Sequence, residues 1–168
     1  MNIRKLTYLA MMLAIIMVLS FIEHTLPSPL PIPGVSLGLS NIVVMYCVFF
    51  FKPRDAFALT ILKAGFVALI RAPTAGLLSL SGGLLSVLTM AILVYVFRGK
   101  LSYIAGSICG AVAHNMGQLL AASALTGTAM TLYYFPVLIV SGIIFGIVTS
   151  LTLTALLPVF RRLFKEKK

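Results

Sequence analysis

Lys63 lies inside an apolar run and Arg71 closes it, eight residues further on. On a helix, positions i and i+8 fall on nearly the same face, so the pair forms a positive strip suited to an anionic ligand. A cation near the middle of a membrane helix costs roughly 2.5–3.5 kcal/mol on insertion scales, and so faces protein or water. The competing reading is that Lys63 snorkels or pairs with Glu23, while Arg71 meets lipid headgroups. A second constellation, Ala113-His114-Asn115-Met116-Gly117-Gln118, sits in another apolar run. His114 and Gln118 share a helix face at i,i+4, and Asn115 neighbours Gln118 at i,i+3. Three strong hydrogen-bonding side chains at membrane depth need partners, since lipid offers none. They either orient a polar ligand or tie helices together. The only other histidine is His24 and carboxylates are scarce, so no metal site is expected.

Weaker candidates surround these. Ser40 and Asn41 begin an apolar segment, where they face a pocket or cap a helix. Ser79, Ser81, Gly82, Gly83 and Ser86 make one end of another segment small and polar. That pattern suits close helix packing, or approach of a ligand to Ser81 and Ser86. Pro27, Pro29, Pro31 and Pro33 alternate, which predicts a stiff, extended connector able to cover a pocket. Gly106 with Gly110, and Gly142 with Gly146, form G-x-x-x-G pairs, a packing device. Ala10 and Ala14 form A-x-x-x-A among bulky residues, a shallow groove where another helix can approach.

The elements that carry these residues are membrane helices. The 168 residues are 61% hydrophobic and 10% charged, against roughly 25% charged in an ordinary globular sequence. Mean hydropathy is +1.13. Six apolar segments of spanning type run over about 6–22, 37–51, 56–70, 77–97, 101–124 and 132–159. The fold class expected is therefore an all-α polytopic membrane protein with six transmembrane helices, in one domain over 1–168. The second and third segments are short, and the third holds Lys63; short or interrupted spans often border binding sites in transporters.

Eleven of the thirteen basic residues cluster beside these segments. Arg4 and Lys5 precede the first, Lys52 and Arg54 follow the second, Arg98 and Lys100 follow the fourth, and five more follow the sixth. The intervening connections carry only Arg71. The positive-inside rule then predicts both termini in the cytoplasm. Net charge of +10 belongs to this pattern and does not point to nucleic acid. Arg4 and Lys5 before an apolar stretch resemble a signal peptide, but no A-x-A-like cleavage site follows, so a retained first helix is expected. Cys47 and Cys109 fall within apolar segments, which argues against a disulfide framework.

Catalysis is not expected. The sequence has no G-x-x-x-x-G-K-[ST] phosphate loop, and its three acidic residues form no cluster to hold Mg²⁺ on a diphosphate. No cofactor is expected either.

Pro33-Gly34-Val35-Ser36-Leu37-Gly38-Leu39-Ser40-Asn41, Ser81-Gly82-Gly83-Leu84-Leu85-Ser86 and Ala113-His114-Asn115-Met116-Gly117-Gln118 together resemble the Gx transporter family, often labelled heptaprenyl diphosphate synthase component I. The likeness covers nearly the whole length. This sequence departs from the family pattern at Ser36, where Lys is usual, and at Ser40, where Ala is usual. The family is similar to the substrate-binding S-components of energy-coupling factor transporters, six-helix bundles that take vitamins or their precursors from outside the bacterial cytoplasmic membrane. The resemblance implies an S-component-like bundle whose Ala10 and Ala14 contact a membrane coupling subunit, with a pair of ATPases supplying energy. Joined to the residue readings above, it gives uptake of a small anionic substrate, a vitamin, cofactor or quinone or isoprenoid precursor, with Lys63, Arg71, Asn41, His114, Asn115, Gln118, Ser81 and Ser86 as the candidate contacts. The family label implies an alternative, a non-catalytic membrane partner of a prenyl diphosphate synthase in menaquinone side-chain synthesis. An autonomous carrier or channel is a third possibility.

Overall fold

A computed structural model describes residues 3–25, 38–97, 100–127 and 133–164. The Pro-rich connector from Pro27 to Ser36 lies outside the described residues, as do Arg98 and the basic residues after Phe164. Among the described residues six α-helices follow in order: α1 (Ile3–Thr25), α2 (Leu39–Phe50), α3 (Pro53–Ile70), α4 (Pro73–Val96), α5 (Tyr103–Thr126) and α6 (Phe135–Phe164). The described residues contain no strand.

Local chemistry explains where the helices begin and end. Pro53 and Pro73 open α3 and α4, where a missing N–H costs nothing and the fixed φ suits the first turn. At the start of α3 the Asp55 carboxylate accepts the Lys52 N–H at 3.3 Å and places negative charge at the positive end of the helix. Gly127, with φ of 65°, ends α5 in the left-handed conformation while its N–H bonds to the Ser123 carbonyl.

The six apolar segments correspond to the six helices, with ends shifted by a few residues. Helix α4 starts at Pro73 rather than near 77, because Pro73 is a good first residue. Helix α6 runs past the expected end to Phe164, with the exposed Pro158 inside it. Four helices, α1, α4, α5 and α6, are long and apolar enough to cross a membrane. The chain is a multi-pass membrane protein on that evidence. Helix α2 is apolar but has 12 residues, a length of about 18 Å against a hydrocarbon core of about 30 Å. Its residues Ile42–Val48 are all buried, so protein rather than lipid surrounds it.

Helices α3, α4, α5 and α6 pack in sequence, each on the next, and α2 is enclosed by α1, α3, α4 and α6. Small residues let the backbones approach. A Cβ on Gly117 of α5 would lie 2.6 Å from the Ser81 carbonyl oxygen and 2.8 Å from the Gly82 Cα of α4. A Cβ on Gly146 of α6 would lie 2.7 Å from the Ile108 Cα of α5. The Gly142 and Gly146 pair therefore packs α6 on α5, as the spacing suggested.

One end of the bundle is aromatic and basic. Tyr46 stacks near Phe50 and Phe160, with ring centroids 4.7 and 4.9 Å away, and Phe49 meets Tyr103 edge-on at 5.1 Å. Arg161 sits 5.9 Å above the Phe50 ring. Lys5 pairs with Asp55 at 2.7 Å. These contacts gather the first turns of α1, α3 and α5 and the last turns of α2 and α6, with their basic residues, at the same end.

Candidate functional site

Helix α2 begins where Glu23 of α1 holds it. The Glu23 carboxylate accepts the Gly38 N–H, the Leu39 N–H at 3.3 Å and the Ser40 hydroxyl at 3.0 Å. It thus fills the role of a side-chain cap from another helix. Gly38 adopts φ of 72°, a left-handed turn that glycine tolerates and most residues do not. This turn sets Asn41 on the inner side of α2.

Lys63, near the middle of α3 and 7% exposed, donates to Asn41 Oδ1 at 2.5 Å. Glu23, the partner that the sequence offers Lys63 within the chain, is not its hydrogen-bond partner among the described residues. Glu23 is occupied with α2, and Asn41 takes the Lys63 amine. With Oδ1 so used, the Asn41 Nδ2 donor lies near Gly38.

Two adjoining cavities follow. The larger, open on one side, is lined by Asn41, Ser86, Ser107, His114, Asn115 and Thr149, with Met45, Met90 and Phe145 as its apolar wall. The smaller is lined by Lys63, Thr60, Asn41 and Ser86. Asn41, Ser86 and Met90 line both. Such a recess, mostly apolar with a few convergent polar groups, has the general make-up of a small-molecule site.

His114 is buried, 4% exposed, and packs against Gly82 of α4. Its Nδ1 has no partner among the described residues, and neither does Oε1 of Gln118 one turn further. Both side chains press on Gly82: a Cβ there would meet Gln118 Cγ at 2.7 Å and His114 Cε1 at 3.1 Å. Asn115 turns instead to α6, donating to the Leu138 carbonyl at 2.9 Å and the Ser141 hydroxyl at 3.3 Å. It therefore ties α5 to α6 while also lining the larger cavity.

Hydroxyls divide in the same way. Thr60, Thr152 and Thr154 donate to carbonyls one turn back on their own helices. Ser86, Ser107 and Thr149 line the larger cavity from α4, α5 and α6, and none has a hydrogen-bond partner among the described residues.

Asn41, Lys63, Ser86, His114 and Asn115 thus come together from four helices. Arg71 does not join them, since it caps the end of α3, exposed and outside both cavities. Ser81 also lies outside, its hydroxyl donated to the Leu78 carbonyl at 3.0 Å. Gln118 reaches Gly82 but lines neither cavity. Ala10 and Ala14 lie exposed on α1, far from these groups in role. Ser107 and Thr149 had not been singled out. Ser107 stands seven residues before His114, on the same face of α5, so helical periodicity carried its signal. Thr149 sits among Ser150, Thr152 and Thr154, and nothing local distinguishes it.

Among the described residues no three His, Cys, Asp or Glu side chains come together as a metal site would need. A family model described as heptaprenyl diphosphate synthase component I matches residues 12–156. No curated protein and no solved structure matches the chain.

Proposed function

The chain belongs to the heptaprenyl diphosphate synthase component I family, and on that premise we propose that it is the substrate-binding membrane subunit, S-component-like, of an energy-coupling factor transporter. The observation that carries this reading is the recess between α2, α3, α4, α5 and α6, where Lys63, Asn41, Ser86 and His114 converge with few internal partners. A small anionic vitamin, cofactor or quinone or isoprenoid precursor enters from the outer face. Lys63 balances its charge, and Asn41, His114, Asn115 and Ser86 fix its orientation. Arg71, Gln118 and Ser81 stand at or beyond the margin of this recess; Arg71, exposed at the end of α3, meets the substrate on its way in.

In this reading all six helices thread a bacterial cytoplasmic membrane with both termini inside. The gathering of basic residues at one end of the bundle supports that orientation. Helix α2 need not meet lipid along its length, because neighbouring helices enclose it, whereas α3 turns Ile61, Leu62 and Leu69 outward. The protein is not itself a catalyst; a coupling subunit docks on Ala10 and Ala14, which are exposed on α1, and ATPases supply energy.

The family description favours a second reading, a non-catalytic membrane partner of a prenyl diphosphate synthase. Co-purification separates the two. The transporter reading expects a membrane coupling subunit and ATPases, lost in Ala10→Leu. Recovery of a soluble synthase with neither would overturn it in favour of the second.

A further inference from the structure

The two cavities differ in charge. Of the described residues that line them, Lys63 is the only Lys, Arg, Asp or Glu, and it lines the smaller. Its amine is buried against a neutral amide oxygen, that of Asn41, and no described carboxylate forms an ion pair with it. The Glu23 carboxylate is spent on the start of α2. Residues 26–37 contain no charged side chain that could supply a countercharge. A buried cation without a countercharge is costly, so the smaller cavity calls for an anion. One cation matches one negative charge, and a second would be buried unpaired. The larger cavity is of another kind. Ser86, Ser107 and Thr149 stand there, more than nine-tenths buried and without a hydrogen-bond partner among the described residues, beside Met45, Met90 and Phe145. His114 adds no charge to it as the neutral imidazole. Because Asn41, Ser86 and Met90 line both cavities, one molecule can occupy the two together.

We infer that the recess takes a singly charged acid, with one carboxylate at Lys63 in the smaller cavity and an uncharged, partly hydrogen-bonding body in the larger. This rests on the ligand-binding reading above and narrows its substrate class. A prenyl diphosphate carries several negative charges and would bury all but one of them unpaired. A phosphate monoester is close to a dianion at neutral pH and meets the same obstacle. A cation or zwitterion finds no carboxylate in either cavity to take its positive charge. The hydroxyls of Ser86, Ser107 and Thr149 both donate and accept, so they orient the body without demanding charge from it.

Selective chemistry on the ligand pool tests this without any variant. Purified full-length wild type is incubated with portions of one bacterial metabolite extract. The first portion is untreated. Another is digested with alkaline phosphatase, which strips phosphate esters and diphosphates. The last is amidated with carbodiimide and methylamine, which neutralises carboxylates. Native mass spectrometry reads the small-molecule adduct and the mass of the molecule released from it. The inference expects the adduct to persist after phosphatase and to vanish after amidation, and the released molecule to hold one carboxylate and no phosphorus. Calorimetry with that molecule should show the free acid bound and its methylamide bound at least tenfold more weakly. Lys63→Gln, which keeps a polar group and removes the charge, should weaken the free acid by roughly ten- to a hundredfold. Loss of the adduct with phosphatase, its survival after amidation, or a released molecule with more than one negative charge overturns the inference and leaves the transport reading standing. No adduct from the untreated extract overturns both.

Discussion

Glu23 is one of three acidic residues in the sequence, and its carboxylate takes two backbone N–H groups and a hydroxyl at the start of α2. Charge-assisted capping of this kind both satisfies orphan donors and complements the helix dipole. Glu23→Ala should therefore lower stability by about 1–2 kcal/mol, read as an earlier unfolding transition in detergent. Because Gly38 and Asn41 line the recess, ligand affinity should fall with it. Unchanged stability would show that α2 is held elsewhere. The sequence made Glu23 and Lys63 obvious partners, as an anion and a cation in apolar surroundings. What it could not show is that Glu23 is nearer to a helix terminus, which competes for the carboxylate, and that Asn41 then reaches Lys63. Those choices depend on contacts between residues 15 to 22 positions apart. The pairing of His114 with Gln118 on one face was legible, because it follows from helix periodicity alone.

Helices were legible because apolar length and proline placement are local signals. The approach of α4 to α5 was legible only as a composition of small residues, and the structure supplies the contacts. Gly117→Ala should destabilise by about 1–3 kcal/mol, since its Cβ would meet α4 backbone rather than a movable side chain. Gly65→Ala on α3 meets nothing within 4 Å and should be neutral or slightly stabilising, as expected for glycine replaced in a helix. Thermal unfolding of the two variants side by side checks this; equal effects would mean that the α4–α5 contact is looser than described. Short α2 was read from sequence as a span bordering a site. Its burial shows how so short a helix avoids lipid, which hydropathy alone does not reveal.

At the scale of the molecule, one end carries the aromatic cluster and the basic residues, and the recess opens among the polar residues nearer the middle of the bundle. The proposed orientation predicts accessibility. In a background lacking the exposed Cys109, Gly127→Cys should react with an impermeant maleimide on intact cells, and Lys52→Cys only after permeabilisation. The reverse pattern would place the basic end outside. The central claim is that Lys63 and His114 hold a small molecule, and ligand retention tests it most directly. Native mass spectrometry of the protein, incubated with a metabolite extract, should show a small-molecule adduct on wild type. Lys63→Ala and His114→Ala should weaken its binding by roughly ten- to a hundredfold while both variants stay folded. An adduct that persists at wild-type affinity on both variants, or none on wild type, would contradict the account.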